Sequence, residues 1–414
     1  LKNTPMKTTV PLAYLVSRYP AVSHTFILRE VAQLRALGHT IHTASINVPD
    51  RQLDVMDAAE RAEAQATYCV KTDGVVGAVS ALAFWAIRAP GRLFRTLCQG
   101  VRLGHGLKGL AYAVEAAMVA RWMHQRQVAH LHVHFGNAGA TVGVLAKTLT
   151  QCHLSYTIHG PDEFDDVPGQ ALALKMRAAD AVVCISQFAR GQLMRISAPE
   201  DWPKFQVCRL GVDPAQFLFS PPSRSTPKVS LLCVGRLTPA KGQVLLIHAC
   251  AQLRDVGIDF SLTLVGEGPD RSRIETAIKK HQLQAHITLT GALTQDGVRH
   301  ALAQADVFVL PSLAEGIPVV LMEAMSSGVP CISSPVNGIP ELIEHQYTGL
   351  LATAGDADSL AEQLLVLARD PARRGSIAQA ARQKVEQHFN LALNVRQLSH
   401  ILGAFPLRPV SPHE

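Results

Sequence analysis

Short runs of β-branched and apolar residues alternate along the chain with longer stretches of helical periodicity, the pattern of parallel sheets joined by crossover helices. In the first half, residues 11–17, 39–47, 130–135, 154–159, 181–185 and 205–209 read as strands, and 23–37 and 137–150 as helices. A Pro- and Ser-rich stretch at 220–227 breaks the apolar periodicity and reads as a linker. Beyond it the alternation restarts, with strand-like runs at 229–235, 260–265, 287–290, 307–310 and 331–334. The expected fold is α/β, two doubly wound Rossmann-like domains facing a cleft. Their expected spans are 1–219 and 229–389, joined by 220–228 and followed by a C-terminal helix and tail at 390–414.

A length of 414 residues fits two such domains, and 48% hydrophobic against 17% charged residues fits well-buried cores rather than a disordered chain. The eight cysteines are scattered without a C-x-x-C pair, which argues against a disulfide framework or zinc knuckle and for a reducing compartment. Lys2 and Lys7 precede an apolar run, but Val10–Val16 is one strand long and meets Ser17-Arg18 at once. It is read as a first strand, not an export segment. No run approaches the ~20 uninterrupted apolar residues of a spanning helix. These points together predict a cytoplasmic protein.

The second half carries the most chemistry. In Glu315-Gly-Ile-Pro-Val-Val-Leu-Met-Glu323, a loop leads from a buried strand to Pro318, expected in the first turn of a helix. Free amides and the dipole at that helix start make an anion site. Glu315 and Glu323 flank it and would accept hydroxyl hydrogen bonds at either end of a diphosphate. Two glutamates eight apart also arise by chance, as a solvated loop residue and an ordinary helix charge; the flanking sequence shifts the balance. Gly235-Arg236-Leu-Thr-Pro-Ala-Lys241-Gly242 follows the first strand of this half. Gly235 permits a close turn, Arg236 offers a planar fork to phosphate oxygens, and Lys241 a point charge. Together they would neutralise a departing diphosphate without proton transfer. Gly291 and Leu293 end the third strand and would present backbone groups to a nucleobase. No G-x-x-x-x-G-K-[ST] is present, which excludes a P-loop.

Gly235–Gly242, Gly266–Pro269, Glu315–Glu323, and Gly338-Ile-Pro-Glu341 followed by Gly349-Leu350 resemble, in order, the retaining glycosyltransferases of family 4, which have the GT-B fold. The resemblance implies that Arg236 and Lys241 bind the donor diphosphate. It implies further that Glu315 contacts the sugar beside the backbone of Gly316, Ile317, Pro318 and Val319, and that Glu323 binds ribose. It places the nucleotide sugar in the second domain, the acceptor in the first, and the last helix back on the first domain. His159, in Leu154-Ser-Tyr-Thr-Ile-His159-Gly160, is read from the residues alone as a structural strand-end histidine; the resemblance puts it beside the donor sugar. Retention, by front-face displacement, is likewise implied only by the family. The start of the chain resembles bacterial exopolysaccharide glycosyltransferases of the colanic acid type, which carry Ser-Glu-Thr-Phe-Ile where this chain has Ser23-His24-Thr-Phe-Ile. Ser23 is expected to cap the first helix, and Ser23 and His24 to face donor phosphate or acceptor.

His130, His132 and His134 alternate on one face of a strand, and Asp356-Ala-Asp358 is formally D-x-D. A metal reading competes with a core strand and with a helix N-cap; the latter pair is favoured and no metal or other cofactor is expected, the nucleotide sugar being a co-substrate. Residues 74–114 contain no acidic residue, while Arg88, Arg92, Arg95 and Arg102 recur at helical spacing beside Phe84, Trp85 and Phe94. Either this is a core helix pair with a solvated basic edge, or it is a patch that docks on anionic lipid and suits a lipid-linked acceptor. Nucleic acid is not expected as a partner. The function expected is transfer of a hexose from a nucleotide-diphosphate sugar, UDP favoured by the exopolysaccharide resemblance, to a glycan or lipid-linked acceptor. A GT-B-shaped nucleotide-sugar epimerase, a pyridoxal phosphate phosphorylase and a non-catalytic sugar-nucleotide-binding protein are the rivals.

Overall fold

The computed structural model describes residues 11–21, 24–104, 106–220 and 228–405. The chain divides into two compact units. The first comprises residues up to Ile185, Ala189–Cys208 and the chain from Val395 onward; the second comprises Ser186–Phe188 and Arg209–Asn394. The division therefore falls at Cys208–Arg209, ahead of the Pro/Ser-rich stretch, whose residues 221–227 lie outside those described.

In the first unit, seven parallel strands form one sheet: β1 (Leu12–Arg18), β2 (Ile41–Asn47), β3 (Tyr68–Cys69), β4 (His130–His134), β5 (His153–Ile158), β6 (Ala181–Cys184) and β7 (Phe205–Val207). Their order is β3-β2-β1-β4-β5-β6-β7. β4, β5 and β6 are buried along their whole length; β6 is apolar throughout, whereas the alternating polar residues of β4 and β5 are buried because they pair with one another, as His132 does with Ser155 and Thr157. The last helix, Leu391–Gly403, contributes to this unit from Val395. There the Nε2 amide of Gln397 donates to the Val207 carbonyl at 2.9 Å, and Ser399 Oγ lies 2.6 Å from His39 Nε2.

The second unit holds β8 (Val229–Val234), β9 (Phe260–Val265), β10 (Ile287–Gly291), β11 (Val307–Leu310), β12 (Cys331–Ser333) and β13 (Leu350–Leu351), in the order β10-β9-β8-β11-β12-β13. Numbered within each unit, both sheets begin 3-2-1-4-5-6, so the strand order reverses between β1 and β4 and between β8 and β11. Loops at the carboxyl ends of those strands splay apart, and an open α/β sheet binds ligands there. The two short edge strands, β3 and β13, are the ones the apolar pattern misses. Two residues are too few to produce a period.

Asp356 accepts hydrogen bonds from the amides of Asp358 and Ser359 at 2.9 and 3.1 Å, the N-cap expected of the formal D-x-D. The first helix differs from expectation. It spans Thr25–Ala36 with His24 at the N-cap and no side-chain cap bond, and Ser23 lies outside the described residues. All eight cysteines are free thiols.

Candidate functional site

At the second unit's switch point, the loop after β8 and the loop after β11 lie side by side. Gly242 makes this possible. Its φ is +69°, and a Cβ there would sit 2.1 Å from the Pro311 carbonyl oxygen, so no other residue allows the approach. The Leu313 amide then donates to the Ala240 carbonyl at 2.8 Å, tying the loops together. Gly338 does the same one loop further on, where a Cβ would meet the Gly316 carbonyl oxygen at 2.3 Å.

The side chains so assembled are the ones the sequence singled out, but in a different pairing. Lys241 Nζ donates to Glu315 Oε1 at 2.5 Å, and Ser312 Oγ donates to the same oxygen at 2.8 Å. Lys241 and Glu315, expected at the diphosphate and the sugar respectively, thus form one ion pair whose carboxylate is buried. Arg236 is exposed, with its carbonyl held by the Gln243 amide at 3.1 Å. The helix Val319–Ser327 starts at the end of the β11 loop. Pro318 is its N-cap, in an extended conformation, rather than a first-turn residue, so the amides of Val319 and Val320 are the ones that lack intrahelical acceptors. Glu323, one turn further in, is buried. Gly291 and Leu293 sit at the end of edge strand β10, two strands from the switch point, with Leu293 partly exposed.

In the first unit, the ends of β1, β4 and β5 are cross-linked by polar side chains. Ser17 Oγ donates to Asn137 Oδ1 at 2.7 Å. Glu163, on the short helix Asp162–Asp165, accepts from the His159 amide at 2.6 Å and also from the amides of Gly160 and Gly136. Lys175 Nζ donates to the carbonyls of Gly136 and Asn137 at 2.8 and 2.9 Å. Burial drives the Glu163 carboxyl up to about 7 despite the three amides, which pull the other way, and drives the Lys175 ammonium down to about 8. His159 is buried with its ring against Phe135 and Phe26, at centroid distances of 4.4 and 4.9 Å, and its Nε2 lies 3.1 Å from His134 Nδ1. Desolvation holds it well below the usual imidazole range, so it is neutral at physiological pH. His24 joins the same aromatic cluster, 5.0 Å from Phe135, with Nδ1 at 3.2 Å from the Arg18 carbonyl.

The three histidines of β4 are engaged one by one. His130 Nε2 and His132 Nδ1 meet Ser155 Oγ at 2.8 and 2.7 Å, and His132 Nε2 meets Thr157 Oγ1 at 2.9 Å. Ligand atoms of Glu30, His132 and His134 do lie within 4.8 Å of one another. Both His132 nitrogens are occupied by hydroxyls, however, so the donor set suits hydrogen bonding better than a cation.

A glycosyltransferase group 1 family model matches residues 216–384, and a glycosyltransferase family 4 model matches residues 23–216. The amylovoran biosynthesis glycosyltransferase AmsK of Erwinia amylovora is 31% identical over 404 residues, covering 94% of this chain and 98% of that protein. The putative colanic acid biosynthesis glycosyltransferase WcaL of Salmonella typhimurium is 30% identical, covering 94% and 99%. The chain belongs to glycosyltransferase family 4. Among solved structures, Anabaena HepE in complex with UDP and glucose superposes with a TM-score of 0.73 at 19% identity, over 95% of this chain and all of that one. The glycosyltransferase is therefore an enzyme of the GT-B fold class, as the ordered motifs imply.

Within this glycosyltransferase, Gly235, Arg236, Lys241, Glu315–Val319 and Glu323 gather at one sheet end, whereas Arg88 ends the helix Gly74–Arg88 and Arg92 and Arg95 share the helix Pro90–Leu103 of the first unit. Sequence reasoning missed Glu30, Glu163 and Lys175. Glu30 left a signal, because it falls on the apolar stripe of its helix with Ile27, Val31 and Leu34, where a charge is costly unless partnered. Glu163 left none: it stands among Asp162, Asp165 and Asp166, and only the tertiary fold says which acid turns inward.

Proposed function

We propose that the glycosyltransferase takes a hexose from a UDP-sugar and transfers it, with retention, to a glycan or lipid-linked acceptor in exopolysaccharide synthesis. The observation that carries this reading is the Lys241–Glu315 ion pair beside the start of the helix Val319–Ser327, with Glu323 buried behind it. An anion entering there meets Arg236, Lys241 and two free amides, and frees Glu315 to accept from sugar hydroxyls while Glu323 takes the ribose. As the C–O bond to the diphosphate lengthens, negative charge grows on the leaving oxygen and positive charge on the sugar ring. The cationic groups stabilise the former. The acceptor hydroxyl then bonds to the anomeric carbon from the same face and gives its proton to the leaving phosphate oxygen. Glu315, held by Lys241 and Ser312, suits positioning better than nucleophilic attack. The names of the amylovoran and colanic acid relatives, and the UDP and glucose bound by HepE, support the pathway and the nucleotide.

Incubation with a panel of nucleotide sugars is expected to release nucleoside diphosphate, fastest from a UDP-hexose; binding without release under every donor and acceptor would favour a non-catalytic sugar-nucleotide-binding protein. Glu323→Ala is expected to raise the donor KM by about 10-fold, the loss of one or two hydrogen bonds to ribose, with kcat little changed. An unaltered KM would remove Glu323 from the ribose site.

The acidic-free segment forms helices Gly74–Arg88 and Pro90–Leu103. Although Lys71 and Asp73 interrupt its apolar run, Val70–Arg88 is 19 residues with mean hydropathy 1.4, long and apolar enough to cross a membrane. Its inner face is nevertheless committed to the unit, for Ala81 and Trp85 are buried and Trp85 Nε1 donates to the Ala117 carbonyl at 3.1 Å. The outer face leaves Val76 81%, Ile87 86% and Phe94 70% exposed beside Arg88, Arg95 and Arg102. A groove of about 1040 Å³ lined by Phe94, Arg95, Arg102 and Lys147 adjoins it. Apolar side chains ringed by arginines match the headgroup boundary of an anionic bilayer, so the segment is assigned to peripheral docking on the cytoplasmic face, not to spanning. Flotation with anionic liposomes is expected to recover several-fold more protein than with neutral ones, since each arginine near the surface adds about 1 kcal/mol. Equal recovery from both would sink the docking assignment.

A further inference from the structure

The family resemblance puts His159 beside the donor sugar, and any role it takes there depends on which ring nitrogen carries the proton; the first unit contains a device that decides it. Behind His159, side chains from β1, the first helix and β4 form a line. Tyr14 Oη donates to Glu30 Oε1 at 2.9 Å, Glu30 Oε1 lies 3.3 Å from His134 Nε2, and His134 Nδ1 lies 3.1 Å from His159 Nε2. Tyr14 and His134 are fully buried, Glu30 and His159 nearly so.

We propose that Tyr14, Glu30 and His134 are positioning residues that fix the tautomer of His159, leaving a lone pair on Nδ1 to accept a substrate hydroxyl. The polarity follows from the ends of the line. Tyr14 is neutral, because burial and the Glu30 carboxylate hold its hydroxyl well above the ordinary range, so it can only donate to Glu30. The Glu30 carboxylate faces His134 Nε2 across 3.3 Å, an ion-pair contact without hydrogen-bond geometry, and its charge favours the proton on that nitrogen. With one proton, on Nε2, His134 has its lone pair on Nδ1, and there it accepts from His159 Nε2. His159, also neutral, then has its only lone pair on Nδ1, a nitrogen with no protein hydrogen-bond partner among the described residues.

The surroundings reinforce this direction. The ring of His159 is walled by Phe26 and Phe135, and its backbone is anchored through the amide to Glu163. Orientation is thus set from both ends, by Glu163 on the main chain and His134 on the ring. His132, at 5.1 Å from the His134 ring, is satisfied by Ser155 and Thr157 and does not compete for either His134 nitrogen. The line points one way, from tyrosine to the open nitrogen.

This inference rests on the place beside the sugar that the resemblance gives His159, and the test separates the two. In full-length protein with ¹⁵N-labelled histidine, assigned by the loss of one signal in His159→Asn, the His159 ring is expected to show a protonated Nε2 and an unprotonated Nδ1. A protonated Nδ1 would mean that His134 donates through both nitrogens, and would overturn the relay whatever the activity. Glu30→Gln, whose amide can present either a donor or an acceptor, is expected to mix the two His159 tautomers. It should also lower kcat about 10- to 100-fold, the loss of a hydrogen bond to a charged group, with the donor KM within about two-fold. Tyr14→Phe keeps the carboxylate and is expected to keep the tautomer. Unmixed tautomers and unchanged kcat in Glu30→Gln would also overturn the relay. Should Glu30→Gln fail to fold, the wild-type spectrum still decides. Full activity in His159→Asn would instead remove His159 from the reaction and leave the tautomer result standing.

Discussion

Lys241→Ala is expected to lower kcat by about 100-fold or more, comparable to removing one preorganised donor from a developing anion. Steady-state transfer assays with the best donor of the panel check it, and wild-type turnover in the variant would overturn the assignment. The ion pair adds a second consequence. Glu315 is buried and, without Lys241, would keep only the Ser312 hydroxyl as a side-chain partner among the described residues. The lysine side chain is 25% exposed, so solvent screens much of the pair and the stability loss should be about 1–2 kcal/mol. Combining Lys241→Ala with Glu315→Gln removes the stranded charge. Stability should then recover while turnover stays low, because the missing cation is needed by the diphosphate and not only by the carboxylate. Recovery of both would reduce Lys241 to a counter-charge for Glu315.

The second large effect belongs to Glu163. Glu163→Ala strands the amides of Gly136, His159 and Gly160 in a buried site, at about 1–3 kcal/mol for each unsatisfied group, and should cost roughly 3–5 kcal/mol in all. For a unit of this size that corresponds to a Tm lower by about 10 °C, readable by thermal melts. Because the amide of His159 is one of those released, transfer should fall as well. The pH dependence has a definite sign. Burial lifts the folded carboxyl to about 7, above the ordinary 4.5, so the native state binds its proton more readily than the unfolded chain. Its favourable contribution is full below about pH 4.5 and is lost as pH rises to about 7. Glu163→Gln cannot titrate. The stability of the wild type relative to that variant should therefore decline between pH 5 and 7; a flat difference across this range would show that the three amides outweigh burial and keep the carboxyl ionised.

The amino-acid sequence by itself determined the strands long enough to carry a period, the restart of the α/β alternation after the Pro/Ser-rich stretch, and the ordered motifs of the second half that mark family 4. These are local properties. A buried parallel strand such as β6 is apolar along its length, and a glycine such as Gly242 must stand where two backbones meet. What only the tertiary structure decided is which charges meet. Lys241 and Glu315 are 74 residues apart and read as servants of different ligand groups, yet they share one hydrogen bond. Glu30 and His134 come from a helix and a strand that sequence distance does not associate, and their alignment with His159 depends on β1, β4 and β5 lying adjacent in one sheet. A sequence states a side chain's charge, but the partner that makes its burial affordable is chosen by the fold.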